Sequence, residues 1–333
     1  MMDGKLADKI YGCLLGGLIG DAMGAPTEGM HYSAIIEKYG PNGVTDFEGV
    51  GTDDTAIREQ LIDAILKSDG HPTVDHFAQS FIDFKDKNRR LWFVPVRNAF
   101  HKLEVGMSLP AYAGWGNMQS SSTAMSISPM GIINACNPRQ ASLETLDVAS
   151  FIHNGPSGYC RDAACAMAAA VAASFEADAT VKSVTEAATN YLLPVSAEEM
   201  KQAIARSLEV AAESGSYEKF REAHYEQFLR PTASDSMETI PAVLAILNLA
   251  DGDPEKSILW GANFGRDADT IATMIGGIVG ALHGASGLPG PWVAKTESNP
   301  IVKYRDLTHD LKAIVRHRIE ESRKLASAVE DLG

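Results

Sequence analysis

Apolar residues recur at three- and four-residue intervals over most of the chain, the spacing that lines one face of a helix. With its capping residues, the pattern predicts helices over 5–24, 53–68, 73–87, 139–151, 161–176, 180–193, 197–214, 238–250, 254–264, 269–285 and 303–328. Alternating β-branched runs bounded by turns are almost absent, so the expected fold is all-α. No Pro/Gly/Ser linker and no solenoid period divides the chain, and residues 1–333 read as a single domain. The stretch from Gly106 to Ser128 stands apart, because Gly, Ser, Pro110 and Trp115 crowd it without a period. A loop of that length inside a compact domain is usually functional or mobile.

Glycines sharpen the picture. Gly12, Gly16, Gly20 and Gly24 recur every fourth residue, as do Gly276, Gly280 and Gly284. Each lowers helix propensity, and together they leave a stripe free of side chains against which another helix can lie closely. The first helix is therefore expected to pack on the one after Asp269. If the two run antiparallel, Asp21 and Glu28 come beside Asp267 and Asp269. A membrane GxxxG dimer is the competing reading, but the apolar run Ile271–Ala281 is too short to span a bilayer.

Charge narrows the function classes. Lys and Arg total 29 against 43 Asp and Glu, a net charge of −14 that disfavours nucleic acid and anionic membrane surfaces. Cys13, Cys136, Cys160 and Cys165 form no CxxC pair and no zinc spacing, which fits a reducing cytoplasm. The start, MMDGKLADK, has no basic-then-apolar signal pattern. There is no GxGxxG after a strand and no Gly-x-Ser-x-Gly elbow. A soluble cytoplasmic protein with a small-molecule or modified-protein substrate is expected, its oligomeric state open.

Two acidic clusters carry the chemistry. Thr52-Asp53-Asp54 and Asp267-Ala268-Asp269-Thr270 each pair two carboxylates with a hydroxyl at the start of an expected helix. Hard divalent cations such as Mg²⁺ and Mn²⁺ prefer such oxygen ligands. Together the clusters offer enough oxygens for two ions, which would position a water for hydrolysis. The plainer reading is that Thr52 and Asp267 only cap helices. Asp21 braces the site rather than ligating, and Arg266 pairs with a neighbouring aspartate. Ser120–Thr123 reads as a flexible turn rather than a phosphate-binding run of hydroxyls and amides, and Arg316-His317-Arg318 as a solvated helix face.

Three segments carry a family resemblance: GCLLGGLIGDAMGAPTE over 12–28, GTDDT over 51–55, and GRDADT over 265–270 followed by IATMIGGIVGALHG. In this order they resemble the ADP-ribosylglycohydrolase family, which includes the dinitrogenase reductase-activating glycohydrolases and the J1 crystallins. The resemblance implies a compact helical fold with two Mg²⁺ or Mn²⁺ ions in a central cleft, cleaving the glycosidic bond at the anomeric carbon of an ADP-ribosyl group. It implies Thr52, Asp53, Asp54, Asp267, Asp269 and Thr270 as metal ligands, with Asp53, Asp54 and Asp269 also serving catalysis. Glu28 corresponds to a mobile catalytic glutamate near the scissile bond. Trp115-Gly116-Asn117 and His153 correspond to substrate contacts, although His153 taken alone reads more readily as a packed or capping histidine. The loop after Asn117 is longer than the family's, and Ser126 stands where an arginine is usual. A smaller N-riboside is therefore the alternative substrate, and a non-catalytic crystallin-like or ADP-ribose-binding relic the third reading.

Overall fold

The computed structural model describes residues 4–332, where helices and short 3₁₀ turns carry the regular structure apart from one isolated bridge between Trp115 and Asn154. The all-α expectation holds. No helix among the described residues is long and apolar enough to cross a membrane.

The helix Lys5–Gly24 is buried almost all round and lies against the helix Ala268–His283 at the centre of the molecule. Their glycines decide the fit. A Cβ on Gly16 would overlap the Gly276 carbonyl oxygen, and one on Gly276 would overlap that of Gly16. Gly12 faces Gly280, Gly20 faces Ala272 and Gly24 faces Asp269, so the pair runs antiparallel in the expected register. Each glycine forgoes about 1 kcal/mol of helix propensity. Backbone-to-backbone dispersion along the whole seam offsets it.

Around this pair the Ala-rich helix Tyr159–Ser174 packs on Pro138–Val148, Ser128–Ile133 and Val181–Asn190. The helix Asp53–Lys67 lies against Val74–Asn88, and the C-terminal helix Tyr304–Glu330 crosses the first helix. Arg58 is fully buried beneath the seam and donates to the Tyr304 hydroxyl at 2.9 Å. An aromatic cluster locks the neighbouring segment: the Trp92 ring centre is 5.0 Å from that of Phe81 and 5.1 Å from that of Phe100. The Trp92 indole N–H donates to Gln60 Oε1 at 3.2 Å.

The observed ends fall within a few residues of those expected: the 139–151 helix stops at Val148 and continues as a 3₁₀ turn over Ala149–Phe151. Helices Tyr32–Tyr39, Val94–Glu104, Tyr217–Gln227 and Gly290–Glu297 were not expected. They are short, and aromatic residues or an early proline blur their period. The Gly106–Ser128 stretch holds one short helix, Pro110–Ala113, and then turns inward. Ser120–Thr123 is not a flexible turn: all four residues are buried, and the Ser236 hydroxyl donates to the Ser120 carbonyl at 2.9 Å. Nor is the 316–318 run wholly solvated, since Arg318 donates to Glu144 Oε1 at 2.7 Å and Asn134 Oδ1 at 2.9 Å.

Candidate metal centre and its cleft

Asp21 prepares the first acidic cluster. Its buried carboxylate accepts from the Thr52 N–H at 2.9 Å, the Thr55 N–H at 3.0 Å and the Thr55 hydroxyl at 2.6 Å. This clamp needs Gly51, which has φ +85° and where a Cβ would run into Asp21 and Thr55. Asp21 thus holds the N-terminus of the Asp53–Lys67 helix, as expected of a brace.

The second cluster is held by a backbone staple. The Gly29 N–H donates to the Arg266 carbonyl at 2.6 Å, and the Arg266 N–H donates to the Met30 carbonyl at 2.9 Å. Arg266 adopts φ +61°, a left-handed conformation that costs about 1–2 kcal/mol in a non-glycine residue. Its guanidinium donates to both Glu238 oxygens, at 2.7 and 2.8 Å, and to the Arg230 carbonyl at 2.7 Å. The partner of Arg266 is therefore a glutamate on a distant helix, not a neighbouring aspartate. The staple brings Glu28 to the second cluster, with one carboxylate oxygen each from Glu28, Asp267 and Asp269 lying within 4.8 Å of one another.

The two clusters meet. The Thr52 hydroxyl donates to Asp269 Oδ2 at 3.4 Å, and the Thr270 hydroxyl donates to Asp54 Oδ2 at 3.3 Å. Thr52 does cap its helix, accepting from the Asp54 N–H at 3.4 Å. Asp267 does not, for its side chain makes no cap bond and its Oδ2 is buried without a partner. Asp54 Oδ1 is likewise buried and unpartnered. Orphaned buried acceptors are costly and call for a cation or a proton.

Electrostatics agree. Burial, reinforced by Asp269 and then the other acids, holds the Asp54 carboxyl well above the usual range. Asp269 is raised in the same way by burial and Asp267. Burial and then Glu28 push Asp267 up to about 8, while burial and Asp21 push Asp53 to about 7. Glu28 is raised by partial burial and by Asp21. A wall of acids that resists ionising together fits divalent cations, whose charge reverses the balance. The wall borders a cleft of about 450 Å³.

The ADP-ribosylglycohydrolase family model matches residues 2–326. This chain belongs to the ADP-ribosylglycohydrolase family. Its similarity to the uncharacterised protein YegU of Escherichia coli is 26% identity over 339 residues, covering 93% of this chain and 97% of that protein. The ADP-ribosylhydrolase ARH3 of Gallus gallus is 24% identical over 329 residues, with 87% and 89% covered. A solved structure, an ADP-ribosylglycohydrolase-related protein complex, shares the fold with a TM-score of 0.65 at 20% identity, covering 94% of this chain and 98% of that one.

The wall of the ADP-ribosylglycohydrolase cleft contains Glu28, Asp53, Asp54, Asp267, Asp269 and Thr270, with Thr52 bonded to Asp269 beside it. The structure does not bring Trp115, Gly116, Asn117 or His153 to that wall. Trp115 is 61% exposed and lies over Gly155. The Asn117 amide is committed to the Pro95 and Ile152 carbonyls, at 2.8 and 2.7 Å. His153 is fully buried between the Thr123 and Ser120 hydroxyls, at 2.9 and 3.1 Å. Burial drives its pKa down to about 3, so it stays neutral. Arg90, Arg97, Ser122 and Ser234 line the cleft instead. Ser122 belongs to the serine run noted in the sequence; no spacing marked Arg90, Arg97 or Ser234.

Proposed function

We propose that this chain is a hydrolase dependent on two divalent cations, Mg²⁺ or Mn²⁺, that cleaves the glycosidic bond at the anomeric carbon of an ADP-ribosyl group on a small molecule or protein. The observation that carries the reading is the convergence of the 52–54 and 267–270 clusters with two buried carboxylate oxygens left unpaired. Thr52, Asp53, Asp54, Asp267, Asp269 and Thr270 would hold the cations. The cations would supply Lewis acidity and neutralise the clustered charge. Glu28 is exposed at the lip of the cleft, where its carboxylate can take a proton from water as that water adds to the anomeric carbon. The bond to the leaving group breaks with its electron pair, and the leaving atom is then protonated.

A smaller N-riboside is the second reading, favoured because Trp115, Asn117 and His153 stand off the cleft wall. The cytoplasm is the proposed compartment, where four free cysteines are at home.

Metal calorimetry and turnover of an ADP-ribosylated peptide and free nucleosides, each with Mg²⁺ or EDTA, test the proposal. Asp269→Asn is expected to lose metal and turnover while keeping its helical circular dichroism. Wild-type turnover by that variant in saturating Mg²⁺ would refute the two-cluster site.

A further inference from the structure

We propose that Arg90 and Arg97 form an anion subsite of the cleft, which takes a phosphate carried on the ribose of the substrate. The inference rests on the reading that the acidic wall holds cations and ribose hydroxyls.

The third arginine of the cleft, Arg266, and several others of the chain are engaged. Arg89 pairs with Glu104, Arg230 with Asp235, Arg266 with Glu238, and Arg58 with the Tyr304 hydroxyl. Arg90 and Arg97 both line the cleft, yet neither side chain makes a hydrogen bond or ion pair with any described residue. In a chain with 43 acids against 29 Lys and Arg, two unpaired guanidinium groups bordering a carboxylate wall are conspicuous. A planar guanidinium presents donors in a fork that matches phosphate oxygens.

Their backbone is fixed. Trp92, between them, is buried and bonded to Gln60, and the Pro95 carbonyl accepts from the Asn117 amide. Phe93, between them in sequence, lines the same cleft as Asp53. The same cleft contains Ser234, whose hydroxyl oxygen is shielded from solvent and has no partner. A buried hydroxyl without an acceptor is a ready donor to an anion.

A phosphate would therefore be gripped close to the ribose, by residues of the cleft itself. The Trp115–Asn117 loop need not touch the phosphate; Asn117 serves only to anchor Pro95 behind Arg97. Phosphorylated ribosides as a class fit this arrangement, and ribose 5-phosphate carries the essential part of the recognised group.

Calorimetry in excess Mg²⁺ with ribose, ribose 5-phosphate and ADP-ribose tests the subsite, using the wild type and the Arg90→Gln/Arg97→Gln double variant. Wild type is expected to bind ribose 5-phosphate about 10- to 100-fold tighter than ribose, the range for one or two charged hydrogen bonds. The double variant should lose most of that factor with Mg²⁺ and ribose affinity unchanged. A preference that survives in the double variant overturns the subsite. ADP-ribose bound no better than ribose 5-phosphate supports a grip on the proximal phosphate alone. ADP-ribose bound far tighter, with that gain intact in the double variant, places the phosphate grip elsewhere and overturns the proposal. Should Mg²⁺ itself fail to bind, the metal reading falls, and ³¹P line broadening of inorganic phosphate in EDTA decides the subsite separately. Broadening in wild type that the double variant abolishes supports it; equal or no broadening in both overturns it.

Discussion

Two adjacent glycines on the central helix should respond oppositely to the same methyl group. At Gly276 a Cβ would strike the backbone of Gly16, and backbone atoms cannot rotate aside. Overpacking of this kind costs up to about 3 kcal/mol or more, and better helix propensity returns about 1 kcal/mol, leaving Gly276→Ala about 2 kcal/mol less stable. At Gly277 the nearest atoms would be Ser128 Cβ at 3.7 Å and Cys13 Sγ at 3.9 Å, ordinary contacts. Gly277→Ala should therefore gain up to about 1 kcal/mol. With an unfolding entropy of about 2 cal/mol/K per residue, the melting temperature moves by about 1.5 °C per kcal/mol in a chain of this size. The two variants should melt about 4 °C apart, with wild type between them. Thermal unfolding followed by circular dichroism at 222 nm measures this. A Gly276→Ala melting temperature at or above wild type would mean that the seam is looser than described. The same variant should bind Mg²⁺ more weakly, because separating the helices carries Asp269 away from Thr52.

Three further outcomes follow from the site. Metal-free protein should lose stability as pH rises from about 4 to 8, since folded Asp53 and Asp267 keep protons, with pKa values of about 7 and about 8, that the unfolded chain releases near 4. The loss for Asp53 ends near pH 7 and that for Asp267 near pH 8; melting in EDTA at pH 5 and 8 shows it, and a curve that stays flat or climbs contradicts the burial argument. Glu28→Gln should keep both ions by calorimetry and lose about 100-fold or more in kcat, whereas loss of metal would make Glu28 chiefly a ligand. Asn117→Ala leaves two buried carbonyls without their donor and should cost about 2–4 kcal/mol. Thermal unfolding measures the loss, and a variant as stable as wild type would contradict the packed role of Asn117.

Much of this architecture was written locally. The four-residue glycine repeat announced a helix seam because a missing side chain has one steric meaning, and the paired acids on opening turns announced a convergence of carboxylates. What could not be read depends on distant partners. Arg266 finds Glu238 across the fold, and the Ser120–Thr123 run is buried only because the helix Ser236–Leu249 supplies groups to bond. His153 likewise becomes a neutral core residue through Thr123 and Ser120. Arg90 and Arg97 carry no periodic signature, and their place in the cleft follows from where Trp92 is anchored.

The central seam also imposes an order on biosynthesis. The helix Lys5–Gly24 leaves the ribosome well before its partner Ala268–His283, made about 240 residues later. At typical elongation rates of about 5–20 residues per second, the gap lasts roughly 10–50 s. For that interval a helix destined for burial on nearly every face has nothing to bury against, which is an invitation to chaperones. The nascent chain meanwhile holds half of its acids, so prematurely terminated products lack both the seam and the second cluster. On the proposed two-cluster site, a copy that stops short of its last glycine helix would have no hydrolytic capacity.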